Sequence, residues 1–157
     1  MSPGSAFRPL HVERRGEFSL PLPLAHVFPL FSPEGERAWV EGWDPHYLHP
    51  AHPSNAPGTV FRTKHDGEET LWLVIAYDPH RATAEYGRFT PGSRLGTVQV
   101  QCAEEGPTRT RVTVTYSLTG LTLAGNAALT HLTERSYSAM LRGWQAAIAR
   151  SQHAAPG

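Results

Sequence analysis

Few side chains in this 157-residue sequence have the type and placement to do chemistry. His65, Tyr86, His131 and Glu134 are the acid and base candidates, because strand alternation and helical spacing set each on an inner face, where a proton could be moved beside a carbonyl. Arg88 shares the face of Tyr86. An unpaired guanidinium in an apolar interior would cost several kcal/mol, on the order of the effective penalty for a buried ion. Arg88 must therefore reach a carboxylate, for which Glu134 is the candidate, snorkel to water at the strand end, or meet an anionic ligand. If it anchors the polar end of a ligand, Arg88→Ala weakens binding with little loss of fold. No Ser-His-Asp order, glycine-rich phosphate loop or paired-carboxylate signature accompanies these residues.

His46, His49 and His52 form the nearest approach to a metal motif. Spacing by three aligns side chains on a helix, but Pro45, Pro50 and Pro53 work against a helix there, and in extended chain the same spacing sends successive side chains to opposite faces. A polar surface connection is the better reading, and no metal and no cofactor is expected. The aromatic residues Trp43, Phe61, Trp72, Tyr86, Tyr116, Tyr137 and Trp144, with Trp39, are sufficient to wall a pocket for a small apolar molecule. Buried tyrosine hydroxyls need partners, and a cavity can supply one.

Composition narrows the classes. Fourteen Lys plus Arg balance fourteen Asp plus Glu, and the basic residues are scattered, so neither nucleic acid nor an anionic membrane is an expected partner. Cys102 is the single cysteine and has no partner for an internal disulfide. No apolar run is long enough to span a bilayer and nothing resembles a signal peptide, so a soluble cytoplasmic protein is expected.

The elements that must position the candidates follow from periodicity and punctuation. His11 to Leu20 reads as a first strand with Val12, Phe18 and Leu20 on one face. Leu24 to Phe28 reads as a brief helical turn, and Ser32-Pro33-Glu34 as the start of a second short helix carrying Ala38, Trp39 and Val40 as far as Gly42. Asp44 to Pro57 reads as an irregular connection. Strands then follow at Thr59 to His65, Glu69 to Tyr77, Ala82 to Phe89, Leu95 to Cys102 and Arg109 to Leu118. Their short links, Asp66-Gly67 above all, imply an antiparallel meander. Alternation places Phe61, Thr63 and His65 on one face, Tyr86 and Arg88 likewise, and Val112, Val114 and Tyr116 likewise. Leu71 to Tyr77 is apolar on both faces, so its orientation is left open between Trp72 and the pair Leu71 and Leu73. Every proline but Pro156 precedes Thr108, so Leu121 to Gln152 is where one long helix can form, with a stripe through Leu129, Leu132, Ser136, Met140, Trp144 and Ala147 widened by Tyr137, Leu141 and Ile148.

Strand, two short helices, meander and long C-terminal helix: this order resembles the helix-grip fold of the START and Bet v 1-like (SRPBCC) superfamily, often grouped with polyketide cyclases. The segments that carry the resemblance are Pro29 to Arg37 with Trp39, Gly42-Trp43-Asp44-Pro45, Gly58-Thr59-Val60-Phe61, Pro91-Gly92-Ser93-Arg94, and Gly120-Leu121-Thr122 to Trp144. It spans His11 to Ser151. The resemblance implies an α+β fold in which a curved antiparallel sheet grips the C-terminal helix and encloses an apolar cavity. Residues 1–10 are expected to be an arm, 11–152 one helix-grip domain and 153–157 a tail. The function it suggests is binding of a small hydrophobic or amphipathic ligand, lipid, polyketide-like or aromatic, at a site drawn from Trp43, Phe61, His65, Trp72, Tyr86, Arg88, Tyr116, Glu134, Tyr137 and Trp144. The alternatives are a cyclase or dehydratase using the same cavity and an interaction module similar to chaperone activators.

Overall fold

Alternation in the strands decides which side of the sheet receives the helices. The computed structural model describes residues 6–154, in which β1 (His11–Leu20), β2 (His46–His49), β3 (Val60–His65), β4 (Glu68–Asp78), β5 (Thr83–Thr90), β6 (Arg94–Gly106) and β7 (Arg109–Gly120) form one antiparallel sheet in the order β1-β7-β6-β5-β4-β3-β2. In β7, Val112, Val114, Tyr116 and Leu118 are buried while the residues between them are only partly so. This face receives helix α3 (Glu134–Ala154). The short helix α1 (Leu24–Val27) and two 3-10 turns, Phe28–Phe31 and Gly35–Ala38, lie between β1 and β2. Among the described residues no helix is long and apolar enough to cross a membrane.

The α+β helix-grip architecture and the meander are as expected from the sequence. Asp66 and Gly67 both take positive φ, 51° and 79°, as a tight two-residue hairpin turn requires. Four features differ from the expectations. First, His46–His49 is a short edge strand paired with β3 rather than an irregular connection. Its pairing is supported by Tyr47, whose hydroxyl donates to the Glu34 carboxylate at 2.7 Å. Second, the short helix begun at Ser32 becomes a single 3-10 turn ending at Ala38. Glu34, which precedes the turn, makes no side-chain cap, and Ser32 Oγ, further back in the chain, instead accepts from the Gly35 N–H at 2.9 Å.

Third, the C-terminal segment is two helices, α2 (Leu123–Thr130) and α3, broken at His131–Thr133. The break needs no proline. Thr133 and Ser136 cap each other: the Ser136 N–H donates to Thr133 Oγ1 at 3.0 Å and the Thr133 N–H to Ser136 Oγ at 2.9 Å. Arg14 on β1 secures the junction by donating from Nε to the Leu132 carbonyl at 2.9 Å. Fourth, residues 6–10 are tied down in part. Asn126 accepts from the Leu10 N–H and donates to the Arg8 carbonyl, both at 2.9 Å, while the remainder of the expected arm lies outside the described residues. At the other end α3 runs through 153 and 154, and 155–157 lie outside the described residues.

The core is uneven, and this matters for the site. On the β1 side α3 lies close against the sheet. Gly16 on β1 makes room for it, since a Cβ there would stand 2.7 Å from Leu141 Cδ1. Tyr137, Leu141 and Ile148 are buried on this side, and each such burial contributes about 2 kcal/mol. Across the sheet, over β3 to β5, large rings line the space under α3 without filling it.

A candidate ligand-binding cavity

The open strand orientation is settled by the register. Trp72 and Val74 point inward opposite Arg88 and Tyr86, while Leu73 and Ile75 are 43% and 41% exposed on the outer face. A bulge between Val74 and Ala76 adds one residue to β4, which returns Tyr77 to the inner side, its ring 4.9 Å from that of Phe28.

Between the inner face and α3 lies a cavity of about 500 Å³. One wall is Trp43, Phe61 and Trp72. Phe61 and Trp72 stack with planes 6° apart, and Trp43 stands edge-on to both. The opposite wall is Phe31, Tyr116 and Trp144, with Trp39 packed behind Trp144 at 5.4 Å. Most polar handles on these rings are already used by the protein. Trp43 Nε1 donates to the Pro33 carbonyl at 2.8 Å, Trp72 Nε1 to Thr63 Oγ1 at 2.9 Å, and the Tyr86 hydroxyl to the Phe31 carbonyl at 2.6 Å. These bonds fix the rings and leave their apolar faces to line the space.

Three polar groups stand apart. The Arg88 guanidinium carbon lies 5.4 Å from the Trp72 ring centre and 6.0 Å from that of Tyr116. Its Nε is the single buried side-chain nitrogen or oxygen without a hydrogen-bond partner among the described residues. Burial pulls its pKa below the ordinary guanidinium value, yet such a group keeps its charge at any physiological pH. The Tyr116 hydroxyl has no hydrogen-bond partner among the described residues either; burial pushes its pKa up, Arg88 draws it down and Glu36 raises it. Glu36, on the second 3-10 turn, lines the cavity, and desolvation raises its carboxyl to about 8. At neutral pH it is therefore mostly the uncharged acid.

Of the residues expected at the site, Trp43, Phe61, His65, Trp72, Tyr86, Arg88, Tyr116 and Trp144 line the cavity, as does His131. His65 does so only at the rim, its side chain 77% exposed and 3.2 Å from Asp66. Glu134 and Tyr137 do not line it. Glu134 is exposed in the first turn of α3, so it is not the partner of Arg88. Tyr137 is turned into the core, its hydroxyl donating to the Val114 carbonyl at 2.7 Å. His46, His49 and His52 are exposed, and among the described residues no cluster of three potential metal ligands occurs. The sequence reading passed over Glu36. A signal for it existed: Glu36, Trp39, Val40 and Trp43 follow i, i+3, i+4, i+7 spacing, so an acid heads an otherwise apolar stripe. The Arg94–Glu68 pair, 2.8 Å at its shortest, was also unforeseen because it joins two strand ends distant in sequence.

No protein-family model matches this sequence, nor does any curated protein. Solved structures do. Norcoclaurine synthase from Thalictrum flavum aligns with a TM-score of 0.64 at 9% identity, covering 95% of this chain and 96% of that one. A protein of unassigned role from Rhizobium leguminosarum gives 0.64 at 21% identity, covering 91% and 97%. Ara h 8.0201 gives 0.62 at 13% identity, covering 87% and 96%. The strand order, the long C-terminal helix and the short helical turns after β1 agree with these structures, and the chain has the Bet v 1-like helix-grip fold.

Proposed function

We propose that this protein binds a small hydrophobic or amphipathic molecule in the cavity between the sheet and α3. The observation that carries the reading is the cavity itself: about 500 Å³ of space walled by rings whose polar atoms are mostly satisfied elsewhere. Removing apolar ligand surface from water there supplies affinity at about 25 cal/mol per Å², and the few free polar groups set orientation. Native mass spectrometry of gently purified protein tests it. A stoichiometric small-molecule adduct released on denaturation supports the reading. A clean apo mass together with no saturable uptake of N-phenyl-1-naphthylamine overturns it.

One observation favours a second reading, acid–base catalysis of the cyclase or dehydratase kind in the same cavity. Glu36 has a carboxyl in the cavity wall that exchanges its proton near neutral pH. Norcoclaurine synthase, which shares the fold, has been solved with dopamine and hydroxybenzaldehyde. In this reading Glu36 takes the place of His65, Tyr86 and Glu134, which are exposed, bonded to backbone and outside the cavity respectively.

A further inference from the structure

We infer that the ligand is an amphipathic monoanion, its carboxylate- or sulfonate-type group seated against Arg88 between Trp72 and Tyr116, and its apolar body laid between the walls of Trp43, Phe61 and Trp144. The inference rests on the reading of the cavity as a ligand site and names the chemical class that site takes.

The first support is the geometry of the guanidinium. The guanidinium carbon lies over the Trp72 and Tyr116 rings, and attraction to a ring face holds the cation without using up its N–H donors. Its Nε is buried and has no hydrogen-bond partner among the described residues. A carboxylate or a sulfonate can present two oxygens to a guanidinium in the bidentate manner. The second support is the state of the neighbouring carboxylates. Glu68, whose charge is felt by Arg88, is held by Arg94 through two hydrogen bonds of 2.8 and 3.3 Å. Glu36 makes no ion pair among the described residues and is mostly uncharged at neutral pH. Both acids that could have neutralised Arg88 from within are thus withheld, and its charge is left for a guest.

Two further features define the guest. The hydroxyl of Tyr116, whose ring centre lies 6.0 Å from the guanidinium carbon, is a second donor without a hydrogen-bond partner among the described residues. Of the cations that line the space, Lys64 is exposed at the rim and Arg94 is paired with Glu68, so Arg88 is the buried one left unneutralised, which suits a single negative charge on a molecule with substantial apolar surface. Inorganic anions lack that surface, and a dianion would place its second charge against rings or against Glu36.

Two fluorescent probes that differ by one sulfonate provide the test: 8-anilinonaphthalene-1-sulfonate and its uncharged counterpart N-phenyl-1-naphthylamine. At pH 7 the wild-type protein is expected to bind the sulfonate one-to-one and roughly 10- to 100-fold more tightly, the range set by a hydrogen bond to a charged group. Arg88→Met should abolish that advantage, so that the variant binds the two probes within about twofold of each other. A measurement on the wild type alone guards against a variant that misfolds: 1-naphthaleneacetate should displace N-phenyl-1-naphthylamine at least tenfold better than 1-naphthaleneacetamide does. Saturable binding of the uncharged probe with no preference for either anion overturns the inference and leaves the cavity reading standing. Failure of every probe to bind overturns both.

Discussion

Trp72 and Arg88 are direct partners across β4 and β5, and the guanidinium carbon of Arg88 lies 5.4 Å from the centre of the Trp72 ring. The contact lies in the cavity's lining, so the same pair that shapes the site also carries a buried charge with no carboxylate partner. Such a charge is a burden to the unliganded fold, and its removal has a predictable sign.

Arg88→Met should stabilise the protein in the absence of ligand by about 1 kcal/mol, because the cost of burying an unpaired cation, several kcal/mol, is removed while a cation–π attraction of about 2 kcal/mol is lost. Urea unfolding of wild type and variant checks this. A loss of stability of about 2 kcal/mol or more would mean that Arg88 is a structural residue with partners in solution.

Glu36 makes stability depend on pH with a definite sign. Its carboxyl has a folded-state pKa of about 8 against 4.5 for the free group, so between those values the folded state holds the extra proton. Its neutral form is fully compatible with the fold below pH 4.5, and the corresponding stability is lost as pH rises through 8. The slope inside that window is at most about 1.4 kcal/mol per pH unit. Glu36→Gln should flatten this part of the stability profile, and a profile identical to wild type between pH 6 and about 8.5 would show that the carboxyl is solvated.

Gly96 lies opposite Arg88 on β6, and a Cβ there would run into the Ser117 carbonyl oxygen and stand 2.8 Å from Leu118 Cα. Those are backbone atoms that cannot turn aside. Gly96→Ala is expected to cost about 3 kcal/mol, read from denaturant midpoints, and to weaken probe binding because the strands beside Arg88 must separate.

Thr133→Ala removes the hydroxyl that accepts from the Ser136 N–H. A loss of about 1 kcal/mol is expected, with faster amide exchange confined to the first turn of α3. Uniform acceleration along α3 would show that the cap does not act locally.

Cys102 is buried and its thiol is pushed up to about 12 by desolvation. Thiol reagents at pH 8 should therefore label it only as fast as the protein opens, so labelling and global unfolding should share one dependence on urea. Prompt labelling of native protein would contradict its burial.

The fold was legible because its signals are local and repeated. Alternation in Val98 to Cys102 and Val112 to Tyr116, the Asp66-Gly67 turn and the proline-free C-terminal segment each define an element without reference to the rest. The break before α3 was also written locally, in Thr133 and Ser136, but it competes with an unbroken apolar stripe that runs through it. Orientation of β4 could not be read, since Trp72, Leu73, Val74 and Ile75 are all apolar and only pairing with β5 and the bulge at Val74 and Ala76 decide which are exposed. For the site, alternation found Tyr86, Arg88 and Tyr116. It could not find Glu36, which reaches the cavity from a 3-10 turn with no strand period, and it misplaced Glu134, whose inward direction assumed one continuous helix.

The pairing of β1 with β7 joins His11 to Thr119, positions 108 apart, and among the described residues β1 has no other strand beside it. A ribosome adding about 5–20 residues per second therefore leaves β1 waiting for roughly 5–20 s before the strand that completes it has been made. During that interval Val12, Phe18 and Leu20 are unprotected, while β3 to β6 have each been followed at once by a neighbour. β1 is thus completed by a partner made long after it, and α3, later still in the sequence, covers the cavity and lies against β1 at Gly16.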